Sequence, residues 1–408
     1  MIVLVLNCGS SSVKYQLIDT SLERIEKNED RVLAKGSVER IGTDSAVHAW
    51  QAAGGAKRQE SGEILEHRAA IAEILQRLAA PDGGVLKDVT SIEAVGHRVV
   101  HGGERFSGSV NVTDEVMQQI AECVELAPLH NPHNLRGIEA AQKVLPDVTH
   151  AAVFDTAYHQ TMPPHAFLYG LPYVLYQRHA IRRYGFHGTS HRYVGWRSVE
   201  LLGRPREETR LVTCHLGNGA SVCAIDRGKS VDTSMGFTPL EGLMMGTRTG
   251  DLDPSVVFHL MHKEDLNEHQ ATTLLNKHSG LYGISGLTHD MRELLKAESE
   301  GHERAKLAID MFCLRVKKYV AAYAGAMGGL DAVIFTGGIG ENAPRVRARA
   351  LAGLEFMGLA LDPAKNDDAI GREADVSAEG ASARTLVIPT NEELLIARDT
   401  VRVVEGVL

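Results

Sequence analysis

Apolar residues run unbroken from Ile2 to Leu6, give way to the polar turn Asn7-Cys8-Gly9-Ser10-Ser11-Ser12, and resume in alternation over Val13 to Ile18. The pattern predicts a strand, a turn and a returning strand. Small residues and hydroxyls crowd the turn, so its backbone N–H groups are open to an anion, with Lys14 just beyond as a point charge. An ordinary hairpin with a Ser-rich turn has the same pattern. After a polar stretch over residues 20–59, a helical pattern is expected to open at Ser61, with Ile64, Leu65, Ile71, Ile74, Leu75 and Leu78 on one face and Pro81-Asp82-Gly83-Gly84 stopping it.

The strand expected over residues 92–100 carries Arg98 near its end, where open sheets place ligands. Thr113 is expected to cap a helix with Asp114 and Glu115 in its first turn and Val116, Ile120 and Val124 along its face. The segment Leu129-His130-Asn131-Pro132-His133-Asn134 reads as a polar loop before a helix that ends at Pro146. Ala151 to Phe154 reads as a buried strand ending on Asp155, and Tyr184 to His191 as a second polar island.

At Leu211 the opening theme returns in LVTCHLGNGASVCAID, with Gly217-Asn218-Gly219 at its turn. Both hairpins end in Ile-Asp, at Ile18-Asp19 and Ile225-Asp226, which suggests a duplicated domain, one copy opening each half. The long stretch SMGFTPLEGLMMGTRTGDLDP lacks periodicity and reads as a functional loop. A helix is expected from about Glu303 to Met327, ended by Gly328-Gly329. The buried strand Asp331 to Thr336 then feeds Gly337-Gly338-Ile339-Gly340-Glu341-Asn342. In the last segment Thr390 and Glu393 have capping-box spacing, which leaves Glu392 without a structural task.

Composition narrows the classes. A chain of 408 residues is expected to form two or three domains. A net charge of -9 argues against a nucleic-acid surface, and an anionic substrate would need a local concentration of Arg, Lys and His. The five cysteines, at positions 8, 123, 214, 223 and 313, include no CxxC pair, so neither a disulfide framework nor a thiolate zinc site is indicated. The opening apolar run is too short for a signal h-region or a membrane span, and no later segment is long enough; a cytoplasmic enzyme without a membrane partner is expected.

Two motifs are discarded. Gly228-Lys229-Ser230 resembles the end of a Walker A loop, but position 223 is Cys where that motif needs Gly. Gly338-Ile339-Gly340 lacks the third glycine of a dinucleotide fingerprint, because position 343 is Ala. What remains is three glycine-bearing turns at strand ends, around Gly9, Gly217-Gly219 and Gly338-Gly340. Together they fit a nucleotide held by two related domains.

On LNCGSSSVKY, GHRVVHGGERF, PLHNPHN, VFDTAYH, YGFHGTSH, CHLGNGAS, MGTRTGDLDP, FTGGIGEN and TNEEL, the sequence resembles the acetate kinase family over essentially its whole length. That family lies within the superfamily of acetate and sugar kinases, Hsp70 chaperones and actin. The resemblance implies an α/β fold of two duplicated actin-like, ribonuclease H-like domains with mixed sheets flanked by helices and a cleft between them. Residues 1–155 plus 391–408 would form the acceptor and metal side, and residues 156–390 the nucleotide side.

The resemblance further implies reversible, Mg²⁺-dependent phosphoryl transfer from ATP to acetate, giving acetyl phosphate and ADP, in a homodimer; Mn²⁺ is the alternative ion. Asn7 and Glu392 would help position the metal, with Lys14 near the nucleotide phosphates. His215, Leu216, Gly217, Asn218, Gly219, Asp290, Met291, Arg292, Gly338, Ile339, Gly340, Glu341 and Asn342 would contact ATP. Arg98 would hold the substrate carboxylate, His130, His187 and Arg248 would surround the phosphoryl group, and Asp155 is the family's active-site acid.

Elementary chemistry supports most of these roles. Phosphoryl transfer spreads charge over equatorial oxygens and calls for fixed donors and cations more than for covalent chemistry. Arg248 offers a planar fork, His187 a ring N–H. Against each stands an ordinary use: a surface charge for an arginine, a structural place for one histidine among nineteen, a favourable first-turn acid for Glu392. A carboxylate substrate is already ionised at pH 7 and needs no base, so Asp155 is expected to orient Mg²⁺ through water or to fix an arginine. The rival readings are a propionate or butyrate kinase on the same scaffold, which motifs do not distinguish, and a nucleotide-gated binding protein of the chaperone or actin type.

Overall fold

A computed structural model describes residues 1–407. The chain divides into two compact units, Met1–Tyr158 together with the segment from Asn391, and His159–Thr390. The first unit carries an eight-stranded sheet of β1 (Ile2–Cys8), β2 (Ser12–Asp19), β3 (Arg31–Glu39), β4 (Thr43–Ala52), β5 (Arg58–Ile64), β6 (Ala94–Val99), β7 (Val110–Asn111) and β8 (Thr149–Phe154). The second carries six strands, β9 (Arg210–Leu216), β10 (Ala220–Asp226), β11 (Lys229–Thr233), β12 (Ala332–Thr336), β13 (Ala374–Asp375) and β14 (Arg384–Val387).

The two sheets share one plan. Their strand orders are β5-β4-β3-β2-β1-β6-β8-β7 and β11-β10-β9-β12-β14-β13. Within each, the opening hairpin is antiparallel, β1 with β2 and β9 with β10. The hairpin's first strand then lies parallel to the next strand inward, β1 to β6 and β9 to β12. Six strands of the first sheet thus match all six of the second, in pairing sense and in chain order. The Ile-Asp echo at Asp19 and Asp226 marks equivalent strands, β2 and β10, of a duplicated α/β topology.

In the first unit the helices His67–Leu78 and Asn131–Val144 cover one face of the sheet and Glu392–Val404 the other. Two glycines permit this close packing. A Cβ at Gly137 would lie 2.4 Å from Cys8 Sγ, and one at Gly96 would lie 2.4 Å from Thr400 Oγ1. Leu4, Leu6, Leu17, Ile71, Ile74 and Leu75 fill the helix side with almost no exposure. The C-terminal helix is fastened by the buried Arg398, whose guanidinium donates to Asp30 and Asn28. In the second unit the predicted helix Glu303–Met327 forms with Ala308, Ile309, Phe312, Val316 and Val320 buried, and Gly328 closes it in the left-handed region.

Four local expectations are corrected. Ser61 opens no helix: Arg58–Ile64 is the edge strand β5, exposed at all but Ile64, and its charged residues hide the strand period while protecting the edge. The helix begins only at His67, and Leu65 is 61 % exposed. The PLHNPHN segment and the Tyr184–His191 island are not loops throughout, since helices start within them at Asn131 and Gly188. Pro132 is tolerated because first-turn N–H groups have no intrahelical partner. Finally, the last helix is capped by Asn391, which accepts from Leu394 N at 3.1 Å, and not by Thr390. Glu393 therefore has no capping-box task.

Candidate active site

In the first unit the site residues gather at the ends of the central parallel strands. Asn7, at the end of β1, pairs with Lys14 across the hairpin and stands level with Arg98 by the register of β1 and β6. Asp155 directly follows β8 and is 1 % exposed. Arg98 donates to it through Nε–H to Oδ1 at 3.0 Å and Nη2–H to Oδ2 at 2.6 Å. Glu392, the first residue of the C-terminal helix, brings Oε2 to 4.0 Å from Arg98 Nε. Burial opposes the guanidinium's charge, but Asp155 and Glu392 outweigh it and raise its pKa above the usual value. The arginine expected beside Asp155 is Arg98.

Two asparagines missed by sequence reasoning hold the loop beyond Arg98. Asn134 accepts from Val100 N at 3.1 Å and donates to Cys8 O at 3.0 Å. Asn131 accepts from His101 N and donates to His101 O. Their spacing of three residues on one helical face was the available signal. His130, at the cap position of the same helix, is exposed.

In the second unit His187, Arg248 and the β9–β10 turn converge. His187 occupies the left-handed region at φ 56°, immediately before the helix Gly188–Leu202. A non-glycine residue persists there only when its surroundings over-determine it. Its ring stacks on His215 with centroids 4.2 Å apart, and Nδ1 lies 2.9 Å from Ser221 Oγ. His215 Nδ1 meets Ser190 Oγ at 2.7 Å, and that hydroxyl meets Thr390 Oγ1 at 2.8 Å. At Gly219 a Cβ would stand 3.6 Å from His187 Nε2 and 3.7 Å from Arg248 Nη1, so both groups border the turn.

The loop bearing Arg248 is tied to the same turn. Gly246 N donates to Asn218 O and Met245 N to Arg248 O, each at 3.0 Å. Arg248 Nη1 donates to Pro239 O at 3.2 Å, and the guanidinium forms no ion pair with a described residue. Burial lowers its pKa. Such a cation, held by a carbonyl and left without a carboxylate, is suited to an anion.

The remaining predicted nucleotide residues occupy two further edges of this unit. Gly338, Ile339, Gly340, Glu341 and Asn342 lie in the short helix Gly337–Asn342 at the end of β12. The Glu341 carboxylate accepts from Gly337 N at 2.8 Å and Thr390 N at 3.2 Å, so it braces its own turn. Asp290 caps the helix Met291–Ser299, and Arg292, largely exposed, holds the Asp290 carboxyl down to about 2. His215 and Leu216 end β9, and Gly217 N closes the turn on Gly219 O.

The sequence model of the acetokinase family matches residues 2–398. The chain belongs to the acetokinase family. It is 53 % identical to the acetate kinase of Caldanaerobacter subterraneus subsp. tengcongensis over 408 residues, all of both chains. It is 54 % identical to the acetate kinase of Desulfitobacterium hafniense over 405 residues, 99 % of this chain and all of that one. Among solved structures, the acetate kinase of Porphyromonas gingivalis superposes with a TM-score of 0.94 at 47 % identity, covering 99 % of each chain. A propionate kinase from Francisella tularensis superposes with a TM-score of 0.89 at 41 % identity, covering 98 % of each. Membership of the acetokinase family extends through the elements that carry Arg98, Asp155, His187, Arg248 and Glu392.

Proposed function

We propose that this chain catalyses reversible transfer of the γ-phosphoryl group of ATP to acetate, giving acetyl phosphate and ADP by direct in-line displacement. The full-length relatives above half identity, named as acetate kinases, carry the reading. The arginine and histidine chemistry supports it. Arg98, held square by Asp155, presents a fixed cation to the acceptor carboxylate. The acceptor is ionised at neutral pH and needs no base, and Asp155 holds Arg98 through both of its oxygens, so Asp155 is assigned to orientation. Arg248, His187 and His130 are assigned to the equatorial oxygens, where charge accumulates as the phosphoryl group passes. The acceptor side is assigned to the first unit and the nucleotide side, including His215–Gly219, Asp290–Arg292 and Gly338–Asn342, to the second.

Among the described residues no three His, Cys, Asp or Glu side chains are grouped to hold a metal on their own. Mg²⁺ bound with a nucleotide takes one or two carboxylates, phosphate oxygens and water. The hard oxygen donors of Asn7 and Glu392 fit that pattern and would hold it, with Lys14 beside the phosphates. The ion would neutralise charge on the phosphates.

A cytoplasmic homodimer completes the proposal. All five cysteines are buried and unpaired, and no helix of the described residues is long and apolar enough to cross a membrane. The helix Pro254–Lys263 buries none of its residues and leaves Phe258 72 % exposed, a face suited to a second copy. Sedimentation of the protein as a monomer would overturn the dimer.

The deciding assay supplies purified protein with ATP, Mg²⁺ and acetate and traps acetyl phosphate as its hydroxamate. Absence of the hydroxamate, with ATP turnover indifferent to carboxylate, would favour a nucleotide-gated binding protein. Comparing kcat/KM for acetate, propionate and butyrate tests the acceptor, since one methylene changes pocket binding by roughly 1–3 kcal/mol.

A further inference from the structure

The loop that carries Arg248 has two limbs, each fastened to a different part of the second unit. The first, residues 233–241, is held by Arg183, from the segment that leads to His187. Its guanidinium donates through Nη1 to the carbonyls of Thr233, Ser234 and Met235 at 2.8, 3.1 and 3.3 Å, and through Nη2 to Glu241 Oε1 at 2.5 Å. Tyr184 N and Gly185 N donate to Gly236 O of the same limb. The second limb, residues 245–249, is held elsewhere. Gly246 N donates to Asn218 O at 3.0 Å, and Leu281 N and Tyr282 N donate to the carbonyls of Met245 and Gly246, each at 2.9 Å.

Asp251 joins the limbs. Its N–H donates to Gly242 O at 2.9 Å and its Oδ1 accepts from Gly242 N at 2.8 Å, a two-bond clamp across the base of the loop. Gly250 beside it lies at φ 66°, and a Cβ there would stand 2.4 Å from Leu243 O, so the base closes this tightly only with glycine. The other carboxylate oxygen faces the long helix Glu303–Met327. Oδ2 accepts from the Tyr319 hydroxyl at 2.7 Å and lies 3.6 Å from Arg315 Nη1, while Arg315 Nη2 donates to Asp251 O at 3.1 Å. Arg315 and Tyr319 stand one turn apart on that helix. Among the described residues the two limbs share one further hydrogen bond, from Arg248 Nη1 to Pro239 O.

Arg248 thus has its backbone on the second limb and its guanidinium leaning on the first, so the direction of the guanidinium depends on how the limbs are set against each other. We propose that Asp251, anchored by Tyr319, is a positioning residue that sets Arg248 against His187 by fixing the two limbs in place. Arg183 ties the first limb to the His187 segment, so an error in the clamp becomes an error in the spacing of Arg248 and His187. Asp251 and Tyr319 act through Arg248. A misplacement of about 1 Å at a reacting centre can cost about 100-fold in rate. The inference rests on the reading of Arg248 as part of the phosphoryl-transfer centre.

The test combines steady-state kinetics with the Nε–H spectrum of the ¹⁵N-arginine-labelled full chain, in which Arg248→Lys identifies the Arg248 resonance. Asp251→Ala should lower kcat by about 10- to 100-fold, leave KM for ATP and acetate within about threefold of wild type, and move the Arg248 resonance. Tyr319→Phe removes one hydroxyl and keeps the ring; it should show the same effects in smaller measure and takes the place of Asp251→Ala if that protein does not fold. Asp251→Asn can still accept from Gly242 and meet the Tyr319 hydroxyl, and should keep kcat within about threefold of wild type. In an Arg248→Ala background, adding Tyr319→Phe should change kcat by less than about twofold, because residues that act through one another are not additive. With Arg248→Ala impaired, a wild-type kcat in Asp251→Ala, an Arg248 resonance that does not move, an Asp251→Asn protein as slow as Asp251→Ala, or a loss from Tyr319→Phe that persists in the Arg248→Ala background each overturns the proposal. Wild-type kcat in Arg248→Ala would instead overturn the functional reading of Arg248, and the resonance would still decide the clamp.

Discussion

Arg98 and Asp155 meet edge to edge, Nε–H on Oδ1 at 3.0 Å and Nη2–H on Oδ2 at 2.6 Å, at the ends of neighbouring parallel strands. The carboxylate is almost wholly buried while the arginine keeps part of its surface open. The carboxylate thus fixes the orientation of the guanidinium, part of which stays open to solvent.

Asp155→Asn keeps the shape but offers one acceptor where two are used. We expect the KM for acetate to rise and kcat/KM to fall roughly 10- to 100-fold, the loss of a charged hydrogen bond worth about 1.5–3 kcal/mol. The KM for ATP and the Mg²⁺ dependence should hardly change. An altered Mg²⁺ requirement with unaltered acetate KM would argue that the acid serves the metal.

Arg248→Lys replaces a planar fork by a point charge that lacks the second arm of the guanidinium. The expected result is a kcat lower by about 10²- to 10³-fold, the scale of losing one donor to developing charge, with substrate KM values changed only a few-fold. Wild-type kcat in the lysine variant would remove Arg248 from the reacting centre.

Arg398 and Asp30 are each 3 % exposed in the first unit. Asp30→Ala leaves a buried guanidinium without its carboxylate, which typically costs about 3–5 kcal/mol. Urea unfolding should register that loss, with the C-terminal helix released first in hydrogen exchange. A midpoint unchanged from wild type would show that the guanidinium's other partners, Asn28 among them, suffice.

Acid should destabilise the fold through its buried histidines. Burial holds His101 and His159 down to about 4, and lowers His97, His150 and His191 as well. Between pH 6.5 and 4 the unfolded chain binds more protons at these rings than the native one, so stability is present above pH 6.5 and falls as pH decreases toward 4. Each fully neutral ring contributes a slope of roughly 1.4 kcal/mol per pH unit in that window. Denaturant midpoints against pH should decline accordingly, and His159→Gln should reduce the slope; an unchanged slope would exclude His159 as a contributor.

Much of this was legible in the chain because it depends on local pattern. The hairpins at Gly9 and Gly217-Gly219, the stripe of the helix Glu303–Met327 and the strands ending at Asp155 and Thr336 follow from period, turn residues and caps. The edge strand β5 escaped because a solvated edge carries charges where a buried strand would alternate. The cap at Asn391 escaped because Thr390 and Glu393 offered capping-box spacing one residue earlier, and that at His187 because its side chain makes no cap hydrogen bond and instead meets Ser221 on a distant strand.

The sequence by itself determined which residue types stand beside which turns, and hence that a nucleotide and a small anionic acceptor were the chemistry to expect. Only the tertiary structure decided partners. Arg98 and Asp155 lie 57 residues apart, and His187 and Ser221 come from a helix start and β10. No local rule relates them, because hydrogen bonds between strand ends and side chains depend on register across the sheet. The opening hairpin shows the same division: its pattern and turn chemistry were readable from Ile2 to Asp19, whereas its neighbour β6, which brings Arg98 level with Asn7, was set by parallel pairing.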